Sequence, residues 1–111
     1  MRKQLIQDAA YEVANQCRVV EDSIEKVLNE LADLQTKLIH ASGCAGVCYD
    51  VFQGPFEGVA ATINDLVKVR GTMAQCHLAM SEAKDKIPGL RTVAWGDCDK
   101  ASASTPLRIV A

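Results

Sequence analysis

Five cysteines and two histidines are the side chains best able to do chemistry here: Cys17, Cys44, Cys48, Cys76 and Cys98, with His40 and His77. Thiols and an imidazole can hold zinc, and Cys44, Cys48 and Cys98 would form a thiol- or metal-binding module at one end of the molecule. The spacing works against a shared zinc site. Zinc knuckles take close C-x-x-C pairs, whereas three residues separate Cys44 from Cys48 and the Cys76-His77 pair lies well along the chain. A helical interval between Cys44 and Cys48 would set their Cα atoms about 6 Å apart, near the limit of disulfide geometry. An odd count of thiols without a regular framework reads as free cysteines in a reducing cytoplasm. Cys17 and Cys76 then read as small buried apolar groups.

The histidines and charged rows give little catalytic signal. His40 falls near the end of a helix, where the negative dipole end favours it. His77 has no acidic residue three or four positions away, and the Glu-x-x-His pair of di-iron bundles is missing. Arg70, His77 and Lys84 recur every seven residues as a basic ridge. That ridge suits pairing with carboxylates of another helix. Beside Met73 and Met80 it also suits a groove for an acidic helical partner. Gly43, Gly46, Gly54 and Gly58 are not followed by the Lys-Ser/Thr of a phosphate loop. The expectation is a protein that is not an enzyme and needs no metal or cofactor.

The elements that would position these residues are plainer. Ile6, Ala10, Val13, Cys17, Val20, Ile24, Val27, Leu31, Leu34 and Leu38 follow one another in steps of four and three. That mean period of 3.5 keeps a helix seam against a partner along its whole length. Asp22 with Lys26 and Asp33 with Lys37 add favourable pairs on the opposite face, each worth a few tenths of a kcal/mol. A second line runs through Val59, Ile63, Leu66, Val69, Met73, Cys76, Met80, Ala83 and Ile87, with one doubled step of three at Ile63-Leu66-Val69. Ser42-Gly43 would end the first helix with Gly43 as its left-handed cap. Gly54-Pro55 would start the second and Pro88-Gly89 would stop it.

The predicted organisation is one helical-hairpin domain over 1–98: helix 2–41, a turn region 42–54, helix 55–87 and an extended segment 88–98. In the turn, Tyr49 and Phe52 would cover the hairpin end. Leu90, Val93 and Trp95 would lie extended across the open end, and 99–111 would form a flexible tail with an apolar tip at Leu107 to Val110. Antiparallel pairing would set Leu31 near Leu66, Ile24 near Met73, and Cys17 near Cys76 or Met80.

Composition bounds the role. The 111 residues suit one domain, 49% are hydrophobic and only 5% aromatic. A net charge of −2 with no Lys/Arg block disfavours nucleic acid and anionic membranes. No run approaches the ~20 apolar residues of a membrane span, and polar residues interrupt any apolar signal region near the start. Apolar residues beside each seam (Leu5, Ala9, Leu28, Ile39, Ala60, Val67, Ala74 and Leu78) would stay wet on an isolated hairpin. The fold class expected is therefore all-α: a long antiparallel helical hairpin completed to a four-helix bundle by homodimerisation. The expected role is that of a structural or adaptor protein binding helices, either its own copy or another helical protein. A small helical chaperone or accessory subunit would fit. Val13, Cys17, Val20, Ile24, Val27, Leu31, Leu34, Leu38, Ile63, Leu66, Val69, Met73 and Met80 would form the seam, and Arg70, His77 and Lys84 a partner groove.

Overall fold

The computed structural model describes residues 2–90. Their order is α1 (Arg2–Cys44), a 3-10 turn (Tyr49–Phe52) and α2 (Gln53–Asp85), with no strand among the described residues. The fold is an all-α helical hairpin. No helix among these residues is long and apolar enough to cross a membrane.

α1 holds no proline and no glycine before Gly43, so nothing interrupts its 43 residues. Its end lies beyond the expected one. Gly43 is still helical, the Ala45 N–H reaches the Ala41 carbonyl at 3.0 Å, and the left-handed residue is Gly46 at φ 63°. A glycine three positions on thus supplies the cap. The connection is shorter than the expected 42–54 because α2 grows directly out of the 3-10 turn. Pro55 lies within the first turn of α2, where a missing N–H leaves no helical bond unmade. Ser23, Thr36, Thr62 and Thr72 each donate their hydroxyl to the carbonyl four residues back. Their polar groups are thereby satisfied within the helices.

The chain forms two compact units, Met1–Arg18 with Gln75–Ala111, and Val19–Ala74. The division falls inside both helices, not in a linker. In the first unit the helices run antiparallel: the Gln7 side-chain amide donates to the Gly89 carbonyl at 3.2 Å, and Cys17 meets His77. Its core is Ala10, Ala14 and Leu90, with Ile6 and Met80 packed on it. α2 stops at Asp85, a turn returns the chain through Gly89 at φ 90°, and Leu90 enters the core at 2% exposure. The small Ala10 and Ala14 leave the space that Leu90 fills. In the second unit Ile24 is buried, and Leu28, Leu31, Leu38, Phe56, Val59, Ile63, Leu66 and Met73 are half-buried. Tyr49 is exposed and covers nothing, whereas Phe52 is half-buried. Val93, Trp95, Cys98 and the tail 99–111 lie outside the described residues.

Candidate functional site

Burial along each helix sorts the apolar residues into three rows, each with seven-residue spacing. On α1 the central row is Ala10, Cys17, Ile24, Leu31 and Leu38, every member buried or half-buried. On α2 it is Val59, Leu66, Met73 and Met80, all half-buried. One flank of each central row completes the seam. On α1 that inner flank is Ala14, Glu21, Leu28, Gln35 and Ser42; on α2 it is Phe56, Ile63, Arg70, His77 and Lys84. The other flank faces outward: Val13, Val20, Val27 and Leu34 are 38–49% exposed, and Val69, Cys76 and Ala83 are exposed on α2.

Of the expected seam, Cys17, Ile24, Leu31, Leu38, Ile63, Leu66, Met73 and Met80 are buried or half-buried, whereas Val13, Val20, Val27, Leu34 and Val69 are exposed, and Ala14, Leu28 and Phe56 take the more buried positions beside them. At the expected phase slip Ile63-Leu66-Val69, Val69 and Arg70 are both exposed and the half-buried row resumes at Met73. Arg70, His77 and Lys84 hold the flank of the seam: exposed Arg70 pairs with Glu25 of α1, as expected of a row that meets carboxylates of another helix, while His77 is half-buried and Lys84 buried. A lysine can hold that position because its methylene stem packs as an apolar rod. The physical reason for the shift is that both flanks of the α1 central row carry apolar residues at the same period, so periodicity alone does not choose between them.

Three polar contacts involve the candidate residues. In the first unit Cys17 Sγ lies 3.8 Å from His77 Nδ1, so the residue opposite Cys17 is His77 and not its exposed neighbour Cys76. Cys17 is buried, which keeps this thiol from acting as an open nucleophile. In the second unit the Arg70 Nε–H donates to Glu25 Oε1. That hydrogen bond, then the Glu25 charge, raises the guanidinium pKa; desolvation opposes and Glu21 adds to it. Finally, His40 Nε2 and Cys44 Sγ are 3.6 Å apart on the exposed last turn of α1. Cys44 and Cys48 do not share a helical turn, because the left-handed Gly46 lies between them. Cys98, the third thiol of the expected module, lies outside the described residues.

Each unit carries an open groove. In the first unit Ile6, Val13, Ala83, Ile87 and Leu90 line an apolar groove of about 320 Å³ with Met80 on its floor. The outer flanks of α1 and α2 therefore face the same way there. In the second unit Ile39, Ser42, Gln53 and Phe56 line a groove of about 390 Å³, with Tyr49 at its edge. Leu90, expected to lie across the open end of the hairpin, packs there on Ala10 and Ala14 directly after the Pro-Gly turn.

Comparison with known proteins returns no match, whether to a family model, a curated protein or a solved structure.

Proposed function

We propose that this protein is a non-enzymatic helix-pairing scaffold, a structural or adaptor subunit whose work is to bind other helices. The reading includes closure with a second copy into a four-helix bundle, with small helical chaperones or accessory subunits as the functional class. One observation carries it: the valine-rich row of α1 is exposed while Glu21, Gln35, His77 and Lys84 occupy seam positions. A hairpin built to stand alone would place those rows the other way round, since each apolar side chain buried contributes about 1.5–3 kcal/mol. The thin core adds support. Only Ala10, Ala14, Cys17, Ile24 and Leu90 are buried apolar residues among those described, so association is the available source of further burial. Exposed free thiols at Cys44, Cys48 and Cys76 suit a reducing, cytoplasmic setting.

The test is solution mass by sedimentation equilibrium over a concentration series. The expected result is a species of twice the chain mass that dissociates on dilution. A single-chain mass at every concentration would refute the self-closing reading.

A further inference from the structure

We infer that the apolar groove of the first unit is covered by the chain's own continuation beyond Leu90, with Trp95 as the side chain it receives. The occupant belongs to the same chain, so the inference stands apart from the helix-pairing reading.

The groove lies where the chain leaves the core. Ile6 and Val13 of α1 line it with Ala83 and Ile87 of α2. Val13 is 46% exposed and Ile87 39%, so a cover that removes them from water is favourable. Leu90 lines the same groove and is itself buried. The last described residue is thus anchored at the groove, and the rest of the chain starts from there. It runs on to Ala111 and holds the one tryptophan of the sequence at position 95.

Reach and size agree. Ile6 and Val13 are about 10 Å apart along the α1 axis. The five steps from Leu90 to Trp95 span at most about 17 Å, so the tether covers the length of the groove. At about 320 Å³ the groove falls in the range that receives small organic groups, roughly 300–1,000 Å³. An indole brings a large apolar surface and a polar N–H. Because the groove is open on its outer side, the ring packs inward while its Nε1–H stays hydrated.

Other occupants are disfavoured by their tether. The apolar tip begins at Leu107, seventeen residues from Leu90, and loop-closure entropy lowers its local concentration about sixfold relative to Trp95. A second copy's Trp95 has no tether, whereas short flexible linkers give effective concentrations in the millimolar range.

The experiment uses the full chain, in which Trp95 is the sole indole. Acrylamide quenching of its fluorescence is measured on the wild type, on Val13→Asp in the groove and on Leu78→Asp at an exposed site outside it, from dilute to concentrated protein. A concave site covers roughly 70% or more of a bound group, so Trp95 should be quenched about threefold more slowly than in the urea-unfolded chain. Val13→Asp should remove that protection, because it puts a carboxylate against the ring. Leu78→Asp should leave it unchanged, and the wild-type value should not depend on concentration. If Val13→Asp loses its helical circular dichroism, nuclear Overhauser contacts from the indole to the methyls of Ile6, Val13 and Ile87 in dilute wild type decide in its place. Quenching as fast as in the unfolded chain overturns the inference, as does protection that survives in a folded Val13→Asp. Protection that appears only as the mass doubles overturns it too and puts a second copy in the groove. Overhauser contacts from Leu107 and Ile109 in place of the indole overturn it in favour of the tip. A wild type that stays a single chain with Trp95 protected refutes the self-closing reading and leaves this one standing.

Discussion

Leu90 gives the sharpest stability test because one side chain closes the open end of the first unit. It is 2% exposed, seated on Ala10 and Ala14 with Ile6 and Met80 beside it. Leu90→Ala removes three carbon groups at about 0.8 kcal/mol each. The adjoining groove is open to water, so the site can relax and the cavity term stays small. The expected cost is about 2.5–3 kcal/mol, toward the lower end for a buried leucine. A domain of this size loses about 4 °C per kcal/mol, so the midpoint should fall by about 10 °C. Thermal circular dichroism reads this directly, with chain concentration fixed because association shifts the midpoint. Leu78→Ala, at an exposed site, is the control and should move it by no more than about 2 °C. A Leu90→Ala shift under about 3 °C would mean that Leu90 does not close the unit, and the core drawn around Ala10 and Ala14 would be wrong.

Gly46→Ala and Gly89→Ala each force a Cβ into a left-handed backbone, at φ 63° and 90°. Each should cost about 1–2 kcal/mol, read as a lower urea midpoint with unchanged slope. Gly71→Ala should do the reverse: it lies inside α2, and nothing stands within 4 Å of an added Cβ. A gain of about 0.5–1 kcal/mol is expected by the same titration. Leu31→Asp puts a carboxylate on the central row and should abolish cooperative folding; a helical, dimeric Leu31→Asp protein would show that the seam lies elsewhere.

The hairpin itself was legible because period 3.5 and two glycine-rich breaks are local signals. The side of the seam was not. The row Ala14, Glu21, Leu28, Gln35 and the row Val13, Val20, Val27, Leu34 share the same central row and the same mean period. They differ by one residue, a turn of about 100°. Hydropathy favours the valines, so a reading from sequence puts them inside. The basic row of α2 misleads in the same way, since periodicity cannot show that the stem of Lys84 packs while its charge is carried at the tip. The cap was ambiguous for another reason. Gly43 and Gly46 both suit a left-handed end, and the choice depends on how far the α1 bonds continue, which the Ala45–Ala41 bond settles. Within the seam, Cys17 and His77 were each visible as residues, but their pairing depended on the seam phase.

The exposed valines could be read as ordinary surface, since single exposed apolar residues are common and need no explanation. Their order argues otherwise. Val13, Val20, Val27 and Leu34 recur at seven-residue intervals without a miss along α1, and Val69, Cys76 and Ala83 keep that interval on α2 after Thr62. Scattered surface residues have no reason to keep a helical phase over three heptads. A row that must meet a neighbouring helix has to keep it, because one misplaced residue swings its side chain by about 100°. The seam inside the hairpin is also the more tolerant of the two: its half-buried glutamate, glutamine and histidine retain contact with water. The outer row carries no polar residue from Val13 to Leu34. The stricter apolar pattern therefore belongs to the surface that the hairpin leaves uncovered, which is where closure by another helix pair would bury the most.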